Sequence, residues 1–262
     1  MNKNRNNPIG LFDSGVGGLS VFQEVKKVLP DREYIFLADQ AHVPYGRKTQ
    51  IELQNLSARI VKFLLHKNIG VLVVACNTAT CYALDYLRQM FKIPIVGVVP
   101  ALKPAAEITK NNKIAVMSTP ATAKSTYLKD LAKKFAQNKE VMLLGCKGLE
   151  DAVETLDQKT IKTLLDKYTK EICDFDADTI VLGCTHYPFL KAEIKMRIGS
   201  KIQILDSGKA IAKRTKQLLK STEDNTKSRA NETFFTTGNP QEFSQVASKL
   251  LKYKISAQFA QI

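Results

Sequence analysis

The chain has 262 residues, 44% of them hydrophobic and 24% charged, which is enough for one large or two small domains with hydrophobic cores. No apolar run reaches the ~18–20 residues that a membrane helix needs, and the basic start MNKNRNNPIG lacks a signal peptide's apolar core, so we predict a cytoplasmic protein with no membrane partner. The formal charge of +14 could indicate nucleic-acid binding, but the lysines are scattered through helical segments and no zinc-finger, RNA-recognition or basic-zipper pattern occurs, which predicts no nucleic-acid partner.

Short apolar runs alternate with helix-like stretches along the chain. The runs predicted to be strands are, in chain order, 9–12, 34–38, 71–75, 95–99, 114–117, 141–144, 179–183, 202–205 and 233–237. Most are separated by ten or more residues with helical spacing, as at Leu53, Leu56 and Ile60. Continuous apolar runs are typical of strands covered on both faces, so the alternation predicts an α/β fold with mainly parallel sheets.

A weak internal repeat predicts two domains. Asp13 precedes Cys76 by nearly the same stretch of chain as Thr119 precedes Cys184, and each stretch runs from one strand end to another. We expect two similar α/β domains that face each other across a central cleft. The first comprises 1–97 plus 208–262 and the second 98–207, with crossovers at 98–104 and 205–210 and a polar loop at 221–232.

Two cysteines end apolar runs, in VVACNTAT (73–80) and IVLGCTHYP (180–188). Ligands of open α/β sheets bind at the carboxyl ends of strands, where Cys76, Cys184 and Asp13 are expected. A thiolate is a base and a thiol an acid, and a reference pKa of ~8.5 makes cysteine suitable for both near neutral pH. Two such groups on opposite faces of one carbon would invert a stereocentre.

The other three cysteines are Cys81, Cys146 and Cys173. The total of five is odd and no CxxC pair occurs, so a disulfide framework is not expected. We predict that these three are small core residues.

The segment DSGVGGLS (13–20) follows a strand and opens a helix. Its glycines would let backbone N–H groups approach an anion at the helix N-terminus, or would simply form a tight turn. It lacks the spacing of both nucleotide-binding glycine motifs, and Asp13 suits a substrate ammonium better than a phosphate.

His186 lies two residues after Cys184 and could orient or protonate its thiol, or be an ordinary core or surface histidine. A zinc site of Cys76, Cys184 and His186 lacks paired-ligand spacing and a fourth ligand, so no metal is predicted. Papain-like cysteine–histidine chemistry leaves two equivalent cysteines unexplained.

The segments GLFDSGVGGLSV, PYG, ACNTAT and LGCTHYP together resemble the glutamate racemases, in the wider aspartate/glutamate racemase superfamily, from about Ile9 to about Gly208. The resemblance implies a cofactor-independent isomerase that interconverts L- and D-glutamate and supplies D-glutamate for peptidoglycan. It implies that Cys76 and Cys184 are the acid/base pair, assisted by Asp13 and His186.

The resemblance also implies the other site residues. Those that would line the glutamate site are Asp13, Ser14, Tyr45, Gly46, Asn77, Thr78, Thr119, Thr122, Thr185 and His186. Glu154 falls at the family's acidic position, with Glu150 as its rival, and His42 stands where the family usually has arginine.

Two other functions fit the same residues. One is a superfamily racemase for another amino acid, such as aspartate. The other is an amino-acid sensor that has kept the cleft and lost catalysis, against which the presence of both Cys76 and Cys184 argues. A homodimer is compatible with the sequence and not required by it.

Overall fold

The computed structural model describes residues 7–220 and 231–262. These residues divide into two compact units: the first runs to Val98 and resumes at Gly208, and the second is Val99–Ser207. The start of the chain, interpreted above as lacking a signal peptide, and most of the predicted polar loop at 221–232 lie outside the described residues. Within the described ranges, no helix is long and apolar enough to cross a membrane.

Strands and helices alternate through most of both units. The strands are β1 Ile9–Asp13, β2 Tyr34–Ala38, β3 Val71–Val74, β4 Ile95–Gly97, β5 Lys113–Ser118, β6 Glu140–Gly145, β7 Thr179–Leu182, β8 Gln203–Leu205, β9 Glu232–Thr236 and β10 Ala257–Phe259. The helices are α1 Leu19–Val28, α2 Gln50–His66, α3 Asn77–Met90, α4 Leu102–Ile108, α5 Pro120–Lys124, α6 Thr126–Phe135, α7 Leu149–Glu154, α8 Gln158–Asp174, α9 Lys191–Ile198, α10 Gly208–Lys220 and α11 Pro240–Leu251.

Each unit is built on one parallel sheet. The first sheet has the order β10-β9-β2-β1-β3-β4 and the second β6-β5-β7-β8, and every pairing is parallel. Residues of β5 alternate between two cores: Ala115 packs with α8 and α9, whereas Ile114 packs with α4 and α6. Strands buried on both faces need apolar residues at every position, which explains the continuous apolar runs. The two parallel sheets confirm the predicted α/β fold.

The nine predicted strands all form, each within two residues of its expected ends. The sequence interpretation missed β10, whose three residues contain no apolar run and whose Gln258 and Phe259 are exposed at the sheet edge. Helix α2 buries Leu53 and Leu56, as the spacing predicted, and begins with a Thr49–Glu52 capping box that satisfies its first N–H groups.

The prediction that three cysteines are core residues is only partly correct. Cys146 is buried, Cys81 is half-buried and Cys173 is exposed. The buried stripe of α8 passes through Ile172, and the next residue on a helix points about 100° away from it. Cys173 therefore faces solvent, and its assignment to the core was wrong. Each of the five cysteines is a thiol, so no disulfide framework exists.

Candidate active site

The predicted reactive residues follow strands at the carboxyl edge of their own sheet. In the first unit, Asp13 ends β1 and Cys76 comes two residues after the neighbouring β3. In the second unit, Thr119 follows β5 and Cys184 comes two residues after the neighbouring β7. Each unit therefore has its own half-site, at the edge where parallel α/β sheets bind ligands.

Cys76 is buried in the first half-site and precedes helix α3. Its Sγ lies 3.8 Å from Ser14 Oγ, and the backbone N–H groups of Ala79 and Ser14 donate to it. Burial raises the pKa of the Cys76 thiol well above its ordinary value, and the charge and hydrogen bond of Asp13 raise it further, against the two N–H groups. The surroundings therefore hold Cys76 as a protonated thiol.

Asp13 is fully buried, and its Oδ2 accepts a hydrogen bond of 2.6 Å from the Gly18 N–H at the start of α1. The chain's own carboxylate thus occupies the N-terminal end of α1 that a bound anion would need. Gly18 permits this approach because a Cβ there would lie 2.7 Å from the Asp13 Cβ. The contact favours the tight-turn interpretation of DSGVGGLS over the anion site.

Tyr45 and Gly46 lie on a 3₁₀ turn, Tyr45–Arg47, that follows a cis Val43–Pro44 peptide and contacts α3. The pKa of Tyr45 is raised well above its ordinary value. Burial is the largest cause, the charge and hydrogen bond of Asp39 come next, and Cys76 and Asp13 contribute less. Tyr45 is therefore a neutral phenol close to Cys76. Its hydroxyl donates to Asp39 Oδ2 at 2.7 Å.

Asp39 was not among the predicted site residues. It is fully buried just after β2, and besides Tyr45 it accepts from Thr237 Oγ1 at 2.7 Å and lies 2.7 Å from His42 Nδ1. His42 thus lies against a buried carboxylate. An aspartate directly after an apolar strand is the same signal that singled out Asp13, and it could have identified Asp39.

Asn77 and Thr78 form the first turn of α3 and are both buried beside Cys76 in the chain. The Asn77 side-chain amide donates to the Val98 carbonyl at 3.4 Å, which anchors this turn to the strand-β4 side of the sheet. The first half-site therefore brings together most of the residues that the sequence predicted for the first unit.

The second half-site is a line of three side chains. Cys184 Sγ lies 3.5 Å from His186 Nδ1, and His186 Nε2 lies 2.6 Å from Glu154 Oε1. Burial raises the pKa of the Cys184 thiol, while the charge and hydrogen bond of His186 act in the opposite direction. Burial alone would lower the pKa of His186, but Cys184 and Glu154 outweigh it and raise that pKa well above its ordinary value.

Helix α7 carries both of the acidic residues between which the sequence did not decide. Glu154, at its end, contacts His186 directly. Glu150 acts on Cys184 through its charge, which raises the pKa of the thiol. The geometry therefore assigns the contact with histidine to Glu154, which raises the pKa of His186, whereas Glu150 raises the pKa of Cys184.

The threonines of the second unit lie at the same sheet edge. Thr119 caps α5 by accepting from the Thr122 N–H at 3.2 Å, and the two hydroxyls are 3.1 Å apart. Thr185 is buried between Cys184 and His186 in the chain. A helix cap accounts for the Thr119–Thr122 contact, and the binding of substrate by these threonines stays a prediction. In the part of the chain that the structure describes, no group of three or more His, Cys, Asp or Glu side chains could hold a metal ion.

Comparison with known proteins adds independent evidence. The family model described as Asp/Glu/Hydantoin racemase matches residues 10–215. The glutamate racemase of Herpetosiphon aurantiacus is 38% identical over 92% of this chain and 97% of its own length. That of Aliivibrio fischeri is 46% identical over 81% of each chain.

Solved structures agree with the sequence matches. A glutamate racemase isoform from Bacillus anthracis superposes with a TM-score of 0.88 at 31% identity, covering 98% of both chains. The Escherichia coli glutamate racemase in complex with L-glutamate and the activator UDP-MurNAc-ala gives a TM-score of 0.84 at 33% identity, covering 97% of both. A family match over most of the chain, relatives of nearly full length and a shared two-sheet fold establish that the chain belongs to the Asp/Glu/hydantoin racemase family.

Proposed function

We propose that the chain is a cofactor-independent glutamate racemase that interconverts L- and D-glutamate through Cys76 and Cys184. One observation carries the proposal: each thiol has its own buried partner, a carboxylate for Cys76 and an imidazole for Cys184. A carboxylate favours the thiol and an imidazolium favours the thiolate. The two partners thus act on their thiols in opposite directions, although burial raises the pKa of both, and this difference suits one thiol to act as the acid and the other as the base. The glutamate racemases among the relatives support the choice of substrate.

In one direction of the reaction, the Cys184 thiolate, which His186 favours, removes the α-proton. The C–H bond breaks and an S–H bond forms, with His186 stabilising the thiolate beforehand. The Cys76 thiol then gives its proton to the opposite face of the carbanion. In the reverse direction the roles exchange. The mechanism requires the two units to act as domains that close on glutamate, with one thiol on each side of Cα and water excluded.

The carbanion is the unfavourable species and needs donors placed in advance. We propose that the hydroxyls and amides next to the two thiols bind the glutamate carboxylates, since these neutral groups leave the bases unquenched. They are Ser14, Asn77, Thr78 and Thr185, together with the backbone at Tyr45 and Gly46 and the threonines Thr119 and Thr122. Asp13 would also attract the substrate ammonium.

We assign the enzyme a cytoplasmic role, the supply of D-glutamate for peptidoglycan. This role matches the function that the family resemblance implies. The homodimer stays a prediction, which light scattering of the purified protein would test.

The first test offers L-glutamate and L-aspartate side by side to the purified protein, without pyridoxal phosphate. We expect D-glutamate to form and aspartate to turn over at least 100-fold more slowly, because a shortened side chain misplaces Cα relative to both thiols. Equal turnover of aspartate, or activity only after pyridoxal phosphate is added, would contradict the proposal.

The second test follows the proton. In deuterium oxide, early D-glutamate formed from L-glutamate should carry deuterium at Cα, since the reprotonating thiol has exchanged with solvent. The remaining L-glutamate should keep mostly hydrogen. A single base that reaches both faces would carry substrate hydrogen into the product, so early product rich in the original hydrogen would refute the two-thiol mechanism.

A further inference from the structure

A second polar cluster, buried except for the half-buried His42, lies beside the first half-site and extends beyond the segment that the family model matches. It consists of Asp39, His42, Tyr45 and Thr237. Thr237 follows strand β9 near the end of the chain, whereas the other three lie between β2 and α2. The cluster therefore joins the C-terminal segment to the turn that carries Tyr45 and Gly46.

The backbone brings these residues together. Strands β9, β2 and β1 are neighbours in the sheet, and hydrogen bonds continue past their ends: the Thr237 N–H donates to the Ala38 carbonyl and the Asp39 N–H to the Asp13 carbonyl. Thr237, Asp39 and Asp13 thus form a row along the carboxyl edge. Their spacing is set by the hydrogen bonds between the strands of the sheet.

The Thr237 hydroxyl makes two contacts at once. It donates to Asp39 Oδ1 at 2.7 Å. The same oxygen accepts from the Ala41 N–H at 3.0 Å. The Thr237 side chain therefore contacts both the Asp39 carboxylate, which binds the Tyr45 hydroxyl, and the backbone of Ala41, which precedes Tyr45 in the chain.

Tyr45 links this cluster to the reactive thiol. Its ring belongs to the same hydrophobic core as Cys76, and its 3₁₀ turn packs against α3, which Cys76 precedes. Asp39 is fully buried and relies on donors from Thr237, Tyr45 and His42, all at 2.7 Å. Losing one donor from a buried carboxylate changes the orientation in which the others are held.

We infer that Thr237 is a positioning residue for racemisation, which acts through Asp39 on the Tyr45–Gly46 turn next to Cys76. The inference rests on the proposed function, since it assigns Thr237 a part in the same site. The segment after β9, which includes the edge strand β10, would then also contribute to the first half-site.

The test compares Thr237→Val, which keeps the shape and removes the hydroxyl, with Thr237→Ser, which restores it. Loss of a hydrogen bond to a charged group should raise the KM for glutamate about tenfold in the valine variant, with a smaller fall in kcat. The serine variant should stay within about threefold of the unsubstituted protein, since it keeps the same donor and acceptor. Thr215→Val is the matched control, because Thr215 is also buried in the first unit and its hydroxyl donates to the Ile211 carbonyl within α10, away from Asp39.

The route through Tyr45 is tested by a double-mutant cycle. Tyr45→Phe removes only the hydroxyl that Asp39 accepts. If Thr237 acts through this contact, the double variant Thr237→Val/Tyr45→Phe should have a kcat/KM only slightly lower than that of the more damaging single variant. The inference would be overturned if the fold losses in kcat/KM of the two single variants multiplied in the double variant. It would also be overturned if Thr215→Val lost as much kcat/KM as Thr237→Val.

A measurement that does not depend on catalytic turnover separates this inference from the proposed function. The rate at which iodoacetamide alkylates Cys76, followed by peptide mass spectrometry, should rise several-fold in Thr237→Val, because the released Tyr45 turn uncovers the thiol. Alkylation of Cys184 should not change. If the unsubstituted protein fails to racemise glutamate, the proposed function falls, and Cys76 alkylation alone decides the inference. Unchanged alkylation of Cys76, or unchanged kinetics in an active enzyme, would overturn it. If the valine variant does not fold, Thr237→Ala removes the same hydroxyl with less bulk.

Discussion

The substitution Glu154→Gln tests the electrostatics of the second half-site. The glutamate oxygen lies 2.6 Å from His186 Nε2, and the two side chains are only 10% and 4% exposed. A charge-assisted hydrogen bond in such a shielded place contributes about 1.5–3 kcal/mol. The amide keeps the shape of the side chain but removes its charge, so the pKa of His186 should fall. Cys184 then loses its imidazolium partner, and its thiolate becomes scarcer.

Because 1.4 kcal/mol is a factor of ten, the fraction of Cys184 thiolate and with it kcat/KM should fall by about 10- to 100-fold. The acid limb of the pH–rate profile should move to higher pH, because more alkaline solution is needed to ionise the thiol. Glu150→Gln is the matched control on the same helix. The Glu150 charge raises the pKa of Cys184, so its removal should move the acid limb slightly to lower pH and leave kcat/KM within about threefold.

The same pair predicts how stability depends on pH. The pKa of His186 is raised on folding by Cys184 and Glu154, against the effect of burial. The contribution to stability is therefore fully present below the unfolded pKa of ~6.5 and is lost as the pH rises through the higher folded pKa. Glu154→Gln should lower the free energy of unfolding most at about pH 6 and less at pH 9, as urea titrations would show. If Glu154→Gln leaves the pH profile unchanged while Glu150→Gln costs the activity, the assignment of the two glutamates is reversed.

Two further predictions concern the first half-site and the thiol pair. Cys76→Ala and Cys184→Ala should each abolish racemisation with a native circular dichroism spectrum, whereas the half-buried Cys81→Ala should cost only about 1 kcal/mol; near-normal turnover by either active-site variant would exclude a paired-base mechanism. Gly18→Ala should lower kcat/KM at least tenfold, since the new Cβ meets the Asp13 Cβ at 2.7 Å and displaces its carboxylate; full activity with an intact fold would mean that the position of Asp13 is unimportant.

The sequence predicted the sheets well because many of their strands are covered on both faces. The runs 34–38 and 180–182 are apolar at every position, and both are buried in the structure. Strand β10 could not be found in this way, because an exposed edge strand of three residues needs no apolar run. Cys173 shows the same limit for helices: residue type favoured the core, but its position beside the buried stripe of α8 decided otherwise.

The candidate site was predictable where one motif contains the contact and less so where contacts join distant segments. Asp13 and Gly18 lie in one turn, and Cys184 and His186 are two residues apart. The contact of Glu154 with His186 depends on how α7 packs in the core of the second unit, which no local pattern reveals, so Glu150 stayed a rival to Glu154. Thr237 meets Asp39 only because β9 returns to pair with β2.

In the proposed mechanism, the two half-sites address one chemical difficulty in different ways. The α-proton of an amino acid is weakly acidic, so its removal needs a strong base, and burial raises the pKa of both thiols and strengthens both thiolates. The same shift makes each thiolate rare at neutral pH. Cys184 recovers thiolate population through His186 and Glu154, within its own unit. Cys76 has a carboxylate beside it instead, so its thiolate is strongly disfavoured until a positive charge offsets Asp13. The ammonium group of glutamate is such a charge. It follows that Cys76 would become a competent base only with substrate bound, which would protect this thiol from side reactions in the empty enzyme.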